Sequence, residues 1–310
     1  MSANGAPAYP QGVGRGCNAA ETPAATTTLS SRLRFSDQTN EPAGSRRYTP
    51  LLACRDLAVS IGGKQVVRGL NLALVPGQRL ALLGRNGVGK TTLLHTLAGL
   101  RAPDAGEITL SGQTYAELGP RGAAKLRGLL PQHQGDAFAA SVLETVLIGR
   151  HPHLSRWDWE STADEHLARE ALAAVGLADL AARPIHTLSG GERQRVALAT
   201  LLVQAPKLYL LDEPLAHLDL NHQIAVLELM NHRVREEVVT NPAALVMVLH
   251  DVNLAAHYSD QALLLYGEGE HQLGDSRTLL NATTLSRLYG HPLREMRDEN
   301  SRWFVPEMSK

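Results

Sequence analysis

The sequence predicts an α/β fold in which a core of parallel strands carries an antiparallel β subdomain and an inserted α-helical subdomain. Three observations carry this expectation. Apolar, strand-sized runs at 79–83, 208–211 and 244–249 lie far apart in the chain, as parallel strands joined by crossovers must. The first run leads through a glycine-rich loop into a helical stretch at 91–100. Between the first and second runs, about 137–185 reads as mostly helical, with Pro152 and Pro184 as punctuation.

Taken in order, residues 1–47 are rich in Ala, Gly, Pro, Ser and Thr without sustained periodicity, so a disordered tail is expected there. Order begins near Leu51. Strand-like stretches 57–61 and 65–70 flank the turn signal Gly62-Gly63, and 72–75 runs into a second turn at Pro76-Gly77. Within the helical block, 142–148 and then 162–175, with its alanines and mixed charges, are the expected helices. Weaker strand and helix signals stand at 263–266 and 283–289. The main domain is placed at 48–290, with 291–310 as a C-terminal tail.

Composition narrows the function classes. Of 310 residues, 44% are hydrophobic and 20% charged, as in an ordinary globular protein. A formal net charge of −1 gives no basic field to attract nucleic acid. No stretch reaches the roughly 18 apolar residues that cross a bilayer, so any membrane spans come from other chains. The two cysteines, Cys17 and Cys54, make neither a disulfide framework nor a zinc motif. Cys54 lies in the apolar run 51–54 and reads as a small buried thiol. Cys17 has no apolar region before it, and the chain reads as reduced and cytosolic.

Three motifs carry chemistry. Gly84-Arg85-Asn86-Gly87-Val88-Gly89-Lys90-Thr91 matches G-x-x-x-x-G-K-[ST] at every fixed position, between a strand and a helix. Such a loop meets triphosphate charge with backbone N–H groups and a helix N-terminus, and its glycines let the chain approach closely. Lys90 is expected on the β- and γ-phosphates, the Thr91 hydroxyl on Mg²⁺, and Thr92 beside them. At 208–214, a buried strand ends in Asp212-Glu213-Pro214. Asp212 is placed to hold the Mg²⁺ shell and Glu213 to polarise an attacking water. Alone, this would read equally well as an acidic turn. Leu188-Ser189-Gly190-Gly191-Glu192-Arg193-Gln194 precedes the apolar helix 196–203, with Ser189 as N-cap and Glu192 as its capping-box partner. A capping box does not call for two glycines, each of which costs about 1 kcal/mol in a helix interior and less near the cap. They suggest a second anion-receiving helix end, serving a partner's nucleotide.

Together these motifs resemble the ATPase subunits of ABC transporters, across about 51–290. The resemblance implies a P-loop NTPase (RecA-like) core, ATP and Mg²⁺ as ligands, and ATP hydrolysis coupled to transport. It implies that Gln132 in Leu-Leu-Pro-Gln is the glutamine that senses Mg²⁺ and the membrane partner, and that His250 contacts the γ-phosphate. It also implies that Ala216-His217-Leu218-Asp219 lies at a dimer seam. Two copies would sandwich two ATP molecules, each between one chain's phosphate loop and the partner's Ser189-Gly190-Gly191, with Asp219 nearby. Transmembrane permease subunits and a periplasmic substrate-binding protein are the further partners implied, nucleic acid is not, and the chain would sit on the cytoplasmic face of the inner membrane. Ile61 stands where the family stacks an aromatic residue on adenine, and an isoleucine offers no π-face. His217 departs from the commoner residue at its position.

Segments 144–153, 218–223 and 250–256 are similar to those of importers for ferric siderophores, haem and cobalamin, with cobalamin and ferric siderophore equally placed as cargo. Three rivals fare worse. A GTPase would need an Asn-Lys-x-Asp motif, a ribosome- or DNA-acting ABC protein a second cassette or long coiled coil, and a non-hydrolysing sensor has no use for Glu213. The pair His151-Pro152-His153 lacks metalloenzyme spacing.

Overall fold

Two strands that pair across Gly62-Gly63 begin the described structure: β1 (Leu52–Ile61) and β2 (Lys64–Leu74). The computed structural model describes residues 49–132, 140–155, 157–236, 238, 240–298 and 301–308. The tail expected at 1–47 and the start of the expected helical block lie outside these residues. In β1 the inward positions are Leu52 and Cys54, then Leu57 and Val59. That change of phase is absorbed by an irregularity at Asp56, whose φ is +45°. Without the extra residue, every side chain beyond it would face the wrong way.

The remaining elements follow in order. They are β3 (Arg79–Gly84), α1 (Lys90–Leu97), β4 (Ala105–Leu110), β5 (Gln113–Thr114), and α2 (Tyr115–Leu126), which is broken at Gly119 before Pro120. Next come β6 (Arg127–Leu130), α3 (Val142–Leu147), α4 (Thr162–Ala174), α5 (Gly190–Gln204), β7 (Leu208–Asp212) and α6 (Leu220–Asn231). Then follow β8 (Ala244–Val248), α7 (Val252–Tyr258), β9 (Gln261–Gly267), β10 (Glu270–Asp275), α8 (Ser276–Leu279) and α9 (Ala282–Tyr289). The last two strands are β11 (Leu293–Arg297) and β12 (Arg302–Pro306).

Strands β2-β1-β4-β5 form an antiparallel sheet, and β10-β9-β3-β8-β7-β6 form the main sheet, parallel except for its β10 edge. β3, β7 and β8 are buried at every position, so they read as unbroken apolar runs rather than alternating ones. Their period-two geometry nevertheless divides the core. Leu80, Leu82, Leu208, Leu210, Val246 and Val248 join the antiparallel sheet and α1 on one face. Ala81, Leu83, Tyr209, Leu211, Leu245 and Met247 join α3–α7 and α9 on the other.

Helices start where the sequence offers a hydroxyl followed three residues on by an acid. Capping boxes at Thr114/Glu117, Ser141/Glu144, Ser161/Asp164 and Ser189/Glu192 open α2, α3, α4 and α5. The chain after α9, expected as a tail, carries the β11–β12 hairpin. Its Phe304 is 3% exposed and exchanges two hydrogen bonds with Asn253 of α7. The charged β11 sequence gives no apolar alternation, so only the tertiary contact reveals it. Cys54 is buried, and burial pushes its thiol up to about 12.

Candidate functional site

Four neighbouring parallel strands, β6, β7, β8 and β3, end along one side of the main sheet. Gln132, the Asp212-Glu213 pair, His250 and the loop 84–91 follow those four ends in the chain. Sheet order therefore converts four separate sequence motifs into one place, at the carboxyl ends where open α/β sheets bind ligands. Asn86, Gly87, Gly89, Lys90, Thr91, Thr92, Gln132, Glu213, His250 and Ile61 line a single cavity of about 490 Å³.

Lys90 is 5% exposed, and its ammonium donates to the carbonyls of Gly84 (2.9 Å) and Arg85 (3.2 Å). Burial lowers its pKa, opposed by the charges of Glu213 and Asp212. Gly89, with φ +106°, caps α1, and a Cβ there would fall 2.8 Å from Val66 Cγ1. Only glycine fits. Gly84, Arg85 and Val88 were expected around the phosphates but do not line the cavity. Gly84 ends the buried β3, Val88 packs back on it, and the Arg85 side chain runs to α9.

Asp212 is fully buried, with neither carboxylate oxygen hydrogen-bonded among the described residues. Burial raises its pKa, while the neighbouring Thr91 hydroxyl acts against that rise. Buried carboxylates normally find partners. Two orphan carboxylate oxygens beside the Thr91 hydroxyl make an oxygen donor set that suits a hard cation such as Mg²⁺. Glu213 has φ +50°, a left-handed backbone that costs a non-glycine residue about 1–3 kcal/mol. Its Oε2 accepts from Gln132 Nε2 (3.0 Å), and its Oε1 lies 2.7 Å from His250 Nε2. The carboxylate thus bridges two residues that the sequence had singled out separately.

The second glycine pair lies elsewhere. Ser189, Gly190, Gly191, Glu192, Arg195, His217, Leu218, Asp219 and His222 line a different cavity of about 430 Å³, with no residue in common with the first. Ser189 and Glu192 make the expected capping box. A Cβ on Gly191 would sit 2.8 Å from the His217 carbonyl, so the glycine admits the loop 216–219 against the start of α5. Asp219 caps α6, accepting from the His222 N–H (2.9 Å), and that bond holds its carboxyl below the usual range.

One residue of the glycine-pair segment has a linking role that its sequence context does not assign. Gln194, 7% exposed, donates to the Pro214 carbonyl at 3.3 Å and ties α5 to the turn after Glu213. The available signal was a polar residue among the inward positions of α5. The histidines at 151 and 153 have ordinary partners. His153 Nε2 lies 2.8 Å from the Gln204 carbonyl and His151 3.6 Å from Glu160.

A parallel sheet, a glycine-rich loop closing on a buried lysine, and an acidic pair at the end of β7, two strands away, define the class: a P-loop nucleotide hydrolase. The family model described as ABC transporter matches residues 67–216. The hemin import ATP-binding protein HmuV of Gloeobacter violaceus is 45% identical over 222 residues, covering 69% of this chain and 78% of that protein. The cobalamin import ATP-binding protein BtuD of Halobacterium salinarum is 36% identical, covering 74% of this chain and 56% of that protein. A solved metal-chelate type ABC transporter in an inward-facing conformation superposes with a TM-score of 0.71 at 30% identity, covering 84% of this chain and 98% of that one. The chain belongs to the ABC transporter family, as an ATP-binding and ATP-hydrolysing subunit. Membrane permeases are the partners that membership entails, and no helix among the described residues is long and apolar enough to cross a membrane.

Proposed function

We propose that two copies of this chain close on two ATP molecules and drive uptake of a metal chelate through a permease. The single observation that carries the dimer is the separation of the two cavities within one chain. One triphosphate needs one phosphate loop, so Ser189, Gly190 and Gly191 are free to meet the partner's nucleotide, with Asp219 holding the adjoining loop in place.

In the first cavity Lys90 and the loop amides bind the β- and γ-phosphates, and Ile61 packs against the base. Thr91, Asp212 and the Gln132 amide oxygen would hold Mg²⁺, which when bound neutralises phosphate charge. Glu213 accepts a proton from water as its oxygen attacks the γ-phosphorus and the bond to the β–γ bridging oxygen breaks, releasing ADP. His250 orients Glu213 and, with Lys90, steadies the charge on the transferred group. Gln132 hydrogen-bonds Glu213 and follows the edge strand β6, which suits it to carry the state of the site to the permease.

The chain works at the cytoplasmic face of the inner membrane, beside a permease and a periplasmic substrate-binding protein, with no nucleic-acid role. Haem is the first cargo to test, because the relative with the highest identity among those described is a hemin import protein; cobalamin and ferric siderophores follow. The experiment is uptake of labelled haem, cobalamin and ferric siderophore in cells lacking the chain, restored with wild type or Glu213→Gln. Loss of one uptake, rescued only by wild type, is expected. Normal uptake of all three in the deletion strain contradicts the metal-chelate assignment.

A further inference from the structure

The phosphate loop is fastened to the far end of the chain. Arg85 is its second residue, yet the side chain turns out of the nucleotide cavity and its Nε donates to the Leu288 carbonyl at 3.0 Å. That carbonyl lies in the last turn of α9, where the helix dipole concentrates negative charge and a cation is favoured. Gly290 follows as the left-handed cap of α9, with φ +68°, and its N–H donates to the Ser286 carbonyl at 2.8 Å. The Arg85 guanidinium occupies the space a side chain at Gly290 would take: a Cβ built there overlaps Nη2 and falls 3.0 Å from Cζ. α9 is itself anchored, since Leu285 and Leu288 are buried in the core. Meanwhile the Arg85 carbonyl accepts from the Lys90 ammonium. One residue therefore joins the phosphate-binding lysine, through its main chain, to a rigid C-terminal helix, through its side chain.

We propose that Arg85 is a positioning residue: clamped on the C-terminus of α9, it holds the phosphate loop in its ATP-receiving shape. This rests on the reading of 84–91 as the nucleotide loop. A loop with several glycines is entropically costly to fix, and an outside anchor at its first turn lowers that cost before ATP arrives. The predicted signature is a weaker hold on ATP with the chemical step left alone.

The experiment measures KM for MgATP, kcat and thermal midpoint in the full-length chain and its variants. Arg85→Ala is expected to raise KM about fivefold while kcat stays within about twofold, the scale of one lost charge-assisted hydrogen bond at a solvent-facing site. Gly290→Ala is expected to raise KM similarly by displacing the guanidinium, and to add nothing to KM in an Arg85→Ala background. Strain at Gly290 alone would lower the thermal midpoint equally in both backgrounds without that loss of additivity. An unchanged KM in Arg85→Ala, or full additivity in the double variant, overturns the proposal. Lys90→Ala separates it from the underlying reading: ATP binding that survives Lys90→Ala overturns the loop assignment and this proposal together. Binding lost there with KM unchanged in Arg85→Ala overturns this proposal alone.

Discussion

Glu213 shows how much of the chemistry is set by single backbone choices. Its left-handed φ turns the carboxylate away from the direction of Asp212, so adjacent acids face different tasks, one among buried oxygens and one between Gln132 and His250. Gly191 is the counterpart in the second cavity. Gly191→Ala brings a methyl group within 2.8 Å of the His217 carbonyl and must push 216–219 outward. ATP binding at the phosphate loop is expected to persist while turnover falls at least about tenfold, a loss of the order of 1.4 kcal/mol in the transition state. Equilibrium ATP binding beside steady-state hydrolysis checks this, and wild-type turnover would contradict it. At this scale the sequence was highly legible where chemistry demands a fixed spacing, as at 84–91, 188–192 and 212–213. It placed Arg85 at the phosphates rather than on α9 and gave Gln194 no role, because each side chain bonds a residue distant in sequence, Leu288 and Pro214.

Among the elements, α4 offers a direct test of what starts a helix. Ser161 and Asp164 exchange hydrogen bonds, and Arg150 adds a 2.7 Å bond to Asp164. The Ser161 N–H and hydroxyl, then Arg150, hold the Asp164 carboxyl at about 2, below the ordinary 3.8. Because the folded pKa is depressed, the stability Asp164 supplies is complete above about pH 4 and disappears as the pH falls through about 2. Asp164→Asn is expected to cost about 1 kcal/mol near neutral pH, with the gap from wild type narrowing between pH 4 and pH 2. Denaturant unfolding across that range checks it, and a gap independent of pH would contradict it. Arg150 and His153 also bond the Val203 and Gln204 carbonyls at the end of α5. The segment 144–153 thus fastens α3 to α5, and Gly149 lets the two approach, since a Cβ there would overlap the Thr200 carbonyl. Helix starts were legible because caps are local. The β11–β12 hairpin was not, because Phe304 is held by α7 rather than by its own strand pattern.

For the whole molecule, the decisive fact is strand order. The sequence announced parallel strands through apolar runs far apart, but it could not say that the strand leading to the glycine loop lies beside β8 and that β7 lies beyond. That order alone brings Lys90, Gln132, Glu213 and His250 around one cavity and leaves Ser189, Gly190 and Gly191 in another. The proposed nucleotide site, built from both, takes a second copy. The most direct measurement is the solution mass of the Glu213→Gln chain with and without MgATP, since removing the proposed base is expected to halt the cycle with nucleotide bound. A shift from the monomer mass of 33.4 kDa to twice that value is expected on adding ATP, abolished by Lys90→Ala or by a bulky residue at Gly191. A Glu213→Gln chain that binds ATP and stays at the monomer mass would contradict it.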